Sequence, residues 1–189
     1  MATVKRLFDL SLAISAMVLL LIPIAVIALI VKSTSIGPAL YWSSRVGKNN
    51  KIFHMAKFRS MRSETPALAT HLLDNPSTYL TPIGGLLRKT SIDELPQLWS
   101  ILKGDMSFVG PRPALFNQYD LIALRSRQGV DQVLPGLTGW AQVNGRDEVS
   151  IEDKVALDFY YLKNQNFWLD IKILWLTLIK VVRREGVSH

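Results

Sequence analysis

The chain has 189 residues, 49% of them hydrophobic, with 22 Lys and Arg against 15 Asp and Glu. That length suits one domain with a buried core, and the net charge of +7 points to an anionic partner such as a membrane surface, a nucleotide or a nucleic acid. The absence of cysteine excludes disulfides, thiolate metal sites and a cysteine nucleophile.

The first element is apolar. Leu10 to Val31 carries no charge and is mostly Leu, Ile, Ala and Val, long enough to cross a bilayer core as a straight helix, which takes roughly 20 residues. Pro23 falls in its middle, where it removes a backbone hydrogen bond and kinks a helix. Both flanks are basic, with Lys5 and Arg6 before it and Lys32, Arg45, Lys48 and Lys51 after it. A bias toward positive charge on the cytoplasmic side would put both ends there. A straight anchor and a helix broken at Pro23 that enters and leaves by one face both fit the composition. A cleaved signal peptide shares the basic start, but this apolar run is long and no Ala-x-Ala site follows it. The boundary is set at residue 36: 1–36 as membrane anchor and 37–189 as a cytoplasmic domain.

Tyr41 and Trp42, after the Gly37-Pro38 turn, suit the headgroup level. Residues 51–61 alternate as a short strand does, and 45–51 read as the turn of a hairpin leading into it. Residues 64–81 are polar and hold Pro66 and Pro76, which predicts a loop with a short helix over 67–73. Ile83 to Lys89 predicts a short basic helix. Leu95, Leu98, Trp99 and Leu102 are spaced for a helix over 93–103, with Ser91 and Glu94 at capping-box spacing. Gly110-Pro111-Arg112-Pro113 cannot continue a helix. A helix is expected over 114–127, a turn-rich loop over 134–140, an Asn144-Gly145 turn, and a helix over 151–164. Phe167 to Val182 reads as an amphipathic helix with Trp168 and Trp175 in its apolar stripe, either core-facing or lying in a membrane interface.

Asp93 and Glu94 are the candidate reactive groups. Adjacent carboxylates at the start of a helix can reach one small volume. One can hold Mg²⁺, which takes one or two carboxylates alongside phosphate and water, while the other acts as nucleophile or base. A carboxylate that attacks a phosphoryl group gives an acyl phosphate. Lys57, Arg59, Arg88 and Arg112 could neutralise the phosphates. Alone, each cation is an ordinary solvated charge, and Glu94 could be only a helix cap; their joint occurrence with rigid loops is what points to a site. His54, His71 and His189 lack metal-ligand spacing, and no Gly-rich dinucleotide motif, Walker-type loop or nucleic-acid-binding module is found.

Several long motifs follow one another in order: Lys5-Arg6-Leu7-Phe8-Asp9, the Pro23 segment, Lys57-Phe58-Arg59-Ser60-Met61, residues 91–98, residues 102–113, residues 135–146 and Tyr160-Tyr161. In these the chain resembles the small monotopic phosphoglycosyl transferases, the PglC-like bacterial sugar transferases. The resemblance implies a mostly helical α+β fold: a re-entrant membrane helix, then a compact cytoplasmic catalytic domain with a short β-hairpin and interfacial amphipathic helices. It implies transfer of a sugar 1-phosphate from a UDP-sugar to undecaprenyl phosphate at the bacterial inner membrane, with release of UMP, as the first membrane step of glycoconjugate synthesis. By the resemblance Asp93 is the nucleophile of a ping-pong reaction through a phosphosugar-aspartate, and Glu94 with Asp93 holds Mg²⁺. Arg112 would bind substrate phosphate, with Lys57, Arg59, Arg88, Gln142 and Arg146 as further substrate contacts. The family breaks its membrane helix at a Ser-Pro pair, whereas Ile22 precedes Pro23 here. The chain is expected to be a minimal member without added N-terminal membrane helices. A non-catalytic membrane scaffold or lipid-binding protein would explain the apolar segment and the charge, but not the motifs. A membrane phosphatase or nucleotide-sugar hydrolase would share the acyl-phosphate chemistry and pass the group to water.

Overall fold

The computed structural model describes residues 2–66, 68, 73–145 and 150–183. The first helix, α1 (Ala2–Thr34), is 33 residues long, about 50 Å at 1.5 Å per residue. It continues through Pro23 as one helical element. A proline deletes one hydrogen bond, and the turns on either side can hold the helix together across the gap. The helix does not stand away from the rest of the protein. Asp9, Ala13 and Val31 are buried, while Leu7, Val18, Leu19, Ile22 and Leu29 on other faces are exposed.

Both ends of α1 are fastened to the same body. Lys5 pairs with Asp170 at 2.6 Å, and Asp9 Oδ1 accepts the Phe108 amide at 3.2 Å. Arg6 donates to the Ile101 and Leu102 carbonyls at 2.6 and 2.8 Å. At the far end Arg59 donates to the Ser35 carbonyl at 2.9 Å, to Ser35 Oγ at 2.8 Å, and to the Ile36 carbonyl. A guanidinium at a helix C-terminus satisfies carbonyls that have no partner within the helix and favours its dipole.

Strands β1 (Leu40–Val46) and β2 (Ile52–Phe58) form the expected antiparallel hairpin, in register from Leu40 with Phe58 to Val46 with Ile52. Its turn needs two residues at positive φ, and Asn49 and Asn50 supply them at 54° and 57°. Helix α2 (Gly84–Lys89) is where the sequence predicts it. The helix expected over 93–103 is two elements: a 3₁₀ turn (Ile92–Gln97) that runs into α3 (Leu98–Lys103). An α-helix begun at Ile92 would press the Pro96 ring against the Ile92 carbonyl, and Pro96 has no N–H to give. Ser91 lies at φ 55° and its side chain caps nothing, so the capping box does not form.

Strand β3 (Ser107–Val109) pairs in parallel with β4 (Gly136–Thr138), which lies inside the region read as a loop. The two backbones approach so closely that a Cβ on Gly136 would collide with the Gly110 backbone. Helix α4 (Tyr119–Arg127) starts five residues later than expected. Before it, Gln118 Oε1 accepts the Leu115 amide at 2.8 Å and Leu115 bridges to Arg45. The Asn144-Gly145 pair ends α5 (Trp140–Asn144) and does not turn a hairpin. Helix α6 (Ile151–Asn164) has the expected bounds and is capped by Ser150, which accepts the Asp153 amide at 3.0 Å.

Helix α7 (Phe167–Arg183) divides its apolar residues between two surfaces. Ile173 is fully buried and Leu169 and Leu174 pack beside it, while Trp168, Trp175 and Leu178 are exposed. The main core gathers Ala13 of α1, Phe53 and Met55 of β2, Ile101 of α3, Phe108 and Val109 of β3, Tyr161 of α6 and Ile173 of α7. A second cluster joins Val31 of α1 to Phe58 and Leu87. The proposed helix over 67–73 lies largely outside the described residues.

Candidate active site

Four elements converge on Asp93 and Glu94. The carboxylates lie on the 3₁₀ turn, Lys57 on β2, Arg88 at the end of α2, and Arg112 in the turn after β3. Because Ser91 takes the left-handed conformation and the 3₁₀ turn is tight, Glu94 is released from a capping role and its side chain meets cations. Glu94 Oε1 accepts Lys57 Nζ at 2.7 Å and Arg112 Nη2 at 2.7 Å. Lys57 Nζ also stands 4.0 Å from Asp93 Oδ2.

The two carboxylates are driven in opposite directions. Burial alone would raise the Glu94 pKa, but Arg112 and Lys57 outweigh it and hold the group well below the usual carboxylate range. At Asp93 burial prevails and raises the pKa; Glu94 adds to it, while Lys57, Arg88 and Arg112 oppose it. Glu94 is thus a fixed negative charge, and Asp93 is a desolvated, weakly stabilised one. That difference suits an organising residue and a nucleophile, respectively.

Arg45, one of the basic residues that flank the apolar segment in sequence, also belongs to this region, although no motif marks it. It extends from β1 toward the site, where its Nη1 donates to the Pro113 carbonyl at 3.2 Å. Burial lowers its pKa to about 10, Arg112 adds to the effect and Glu94 opposes it. Its place in the strand paired with β2, which carries Lys57, was the available signal, because the two strands of a hairpin deliver side chains to one region. With Lys57, Arg88 and Arg112 it makes four cations around two carboxylates, an excess of positive charge suited to a diphosphate.

The other expected contacts fall in different places. Arg59 is buried, and its described hydrogen bonds go to Ser35 and Ile36 at the end of α1 and to Ser63, so it anchors a helix end. Gln142 lies on α5, and both polar atoms of its amide are buried without a hydrogen-bond partner, a costly state unless something else supplies one. Arg146 is outside the described residues. No group of three or more His, Cys, Asp or Glu side chains could hold a metal among the described residues. The two adjacent carboxylates fit a hard divalent cation that shares its coordination with substrate phosphate, not an all-protein cage.

Residues 1–184 match the family model described as bacterial sugar transferase. The chain is 44% identical to the uncharacterized sugar transferase EpsL of Bacillus subtilis (strain 168), over 98% of this chain and 90% of that protein. It is 39% identical to the undecaprenyl-phosphate galactose phosphotransferase of Salmonella typhimurium, over 96% of this chain and 41% of the relative. It is 38% identical to the UDP-glucose:undecaprenyl-phosphate glucose-1-phosphate transferase of Escherichia coli (strain K12), over 93% and 39% respectively. The chain therefore spans about two-fifths of the length of these last two. With residues 1–184 matched and the acidic pair set among cations, the chain belongs to the bacterial sugar transferase family.

Proposed function

We propose that this protein transfers a sugar 1-phosphate from a UDP-sugar to undecaprenyl phosphate, and so starts the membrane stage of a bacterial glycoconjugate. The observation that carries the reading is the division of the acidic pair: Glu94 is pinned by Lys57 and Arg112, while Asp93 beside it is buried with a raised pKa.

Asp93 attacks the phosphorus that bears the sugar. The bond from that phosphorus to the bridging oxygen breaks, and UMP leaves with the bond's electrons. An oxygen of undecaprenyl phosphate then attacks the same phosphorus, displaces the Asp93 carboxylate and gives the lipid-linked diphosphate sugar. Arg112, Lys57, Arg88 and Arg45 supply positive charge around the diphosphate, where burial strengthens each interaction. Asp93 and Glu94 would hold Mg²⁺, which withdraws charge from phosphate oxygens when bound. Gln142, buried and unpartnered, is assigned to hydrogen bonding with the donor substrate, and Arg146 to the same pocket.

The topology belongs to the same reading. A window of α1 has mean hydropathy 3.1 and only 6% of it is buried, unlike a core helix. A helix standing across the bilayer would carry one end about 30 Å from the domain, yet Lys5 and Arg6 at one end and Ser35 at the other both bind it. This supports a kinked helix that dips into the cytoplasmic leaflet and returns, with both chain termini in the cytoplasm. Phe8 of α1 meets Phe167 of α7 edge-on at 5.4 Å, so the exposed apolar residues of the two helices adjoin in one surface that phospholipid would cover.

The test is UMP release from a panel of UDP-sugars with undecaprenyl phosphate and Mg²⁺. At least one sugar should be turned over, with the label recovered in lipid, and Asp93→Asn should be inactive. Label recovered as free sugar phosphate would make the enzyme a hydrolase, and full turnover by Asp93→Asn would sink the assignment of the nucleophile.

A further inference from the structure

Arg112 sits in a turn whose sequence removes most of the usual means of holding a backbone in place. Pro111 and Pro113 have no N–H, so the turn must be fastened through its carbonyls. Four consecutive ones are occupied. Pro111 O accepts the Gly136 amide at 2.9 Å and Ala114 O accepts the Val46 amide at 2.9 Å. Pro113 O accepts Arg45 Nη1 at 3.2 Å. The carbonyl of Arg112 itself accepts Arg125 Nη1 at 2.8 Å.

Arg125 comes from α4 and is buried, and the rest of its fork is already committed. Its Nε and Nη2 both donate to Asp158 Oδ2 on α6, at 3.0 and 2.6 Å. Asp158 is 1% exposed, so Arg125 supplies the charge that allows a buried carboxylate. A planar guanidinium fixes the angle between its two sets of donors, which a lysine ammonium does not. Beside the turn lies a cavity of about 30 Å³, lined by Pro111, Pro113 and Arg125 among others. Packing therefore does not complete the support of the turn, and the hydrogen bond from Arg125 does part of that work.

We propose that Arg125, charge-paired with Asp158, is a positioning residue: it sets the backbone of Arg112 so that the Arg112 guanidinium reaches Glu94 and the substrate phosphate. The connection runs from α6 through α4 to the turn and ends one residue from Asp93. Its catalytic consequence rests on the function proposed above; its geometric part does not.

Two double-mutant cycles on the full-length protein in membranes or detergent test it. In the first, Arg125→Gln lowers kcat/KM for the UDP-sugar at least tenfold, mainly through KM, in the wild-type background, but less than threefold once Arg112→Lys is present. Equal losses in the two backgrounds would mean that Arg125 only braces the fold, and would overturn the proposal. The second cycle needs no substrate: Arg125→Gln and Glu94→Gln are combined and Tm is measured. The two residues do not touch, yet the double variant should lose less than the sum of the single losses. Strict additivity overturns the proposal whatever the enzyme acts on. Absence of turnover in the wild type would sink the proposed function and leave this second cycle standing. If Arg125→Gln does not yield folded protein, Arg125→Lys, which keeps the charge against Asp158, takes its place in both cycles.

Discussion

Water is stripped from the Asp93 carboxylate and its pKa rises, whereas one residue later Lys57 and Arg112 drive Glu94 below the usual range. The two should therefore respond to neutralisation with opposite signs. A group whose folded pKa is raised contributes stability below its unfolded pKa and loses it as pH rises through the folded one. At neutral pH Asp93 is thus a burden on the fold, and Asp93→Asn should raise stability by about 1 kcal/mol while abolishing activity. Glu94, with its pKa depressed, stabilises above the ordinary carboxylate pKa and stops doing so as pH falls through its folded value. Glu94→Gln leaves Lys57 and Arg112 without their shared anion and should cost roughly 3 kcal/mol. Thermal unfolding of the two variants at pH 7 checks both signs. The same shift bears on rate: in the proposed mechanism Asp93 attacks as the carboxylate, so the acid limb of activity should lie above the pKa of an unperturbed aspartate. Lys57→Met removes the strongest opposing charge and should move that limb to higher pH. A limb that stays in place would show that Lys57 does not act on Asp93.

At the scale of elements, what the sequence shows clearly is what local pattern determines. Helix α6 has its expected bounds, and the hairpin announced itself through alternation and an Asn-rich turn. The capping box over Ser91 and Glu94 was misleading because the pattern ignores Pro96, which forbids the helix the box would start. Strand β4 was missed because its three residues, Gly136 to Thr138, have no alternation to see. They pair only because Gly110 and Gly136 let two backbones meet across 26 residues of sequence. Arg59 shows the limit of reading charge along a chain. It lies two residues from Lys57, a spacing that within a strand would put both on one face, but β2 ends at Phe58, so Lys57 meets the carboxylates while Arg59, past the strand, meets the end of α1. Arg59→Gln should consequently lower Tm and weaken membrane retention while leaving the KM for the UDP-sugar within about twofold, because its hydrogen bonds go to the end of α1 and share no partner with the acidic pair. A large rise in KM would return Arg59 to the pocket.

On the proposed function the whole molecule answers one constraint: a soluble nucleotide sugar and a lipid phosphate must reach the same carboxylate. Helix α1 packs its inner face on the core through Ala13 and Val31 and leaves its other faces apolar and exposed, and α7 adds Trp168, Trp175 and Leu178. The chain has no native cysteine, so single cysteines placed near residue 3 and near residue 50 should both be labelled only from the cytoplasmic side. Pro23→Ala, which restores a backbone donor and favours a straight helix, should expose a fraction of the N-terminus to the opposite side. Labelling of the wild-type N-terminus from outside would replace the re-entrant helix by a spanning one. The proposed mechanism turns on Asp93 carrying the phosphosugar between the two substrates. The direct measurement is a single-turnover reaction with labelled UDP-sugar and no undecaprenyl phosphate. The expected result is one UMP per active enzyme, with label bound covalently at Asp93 and discharged when undecaprenyl phosphate is added. UMP that appears only when both substrates are present, with no label on the protein, would contradict it.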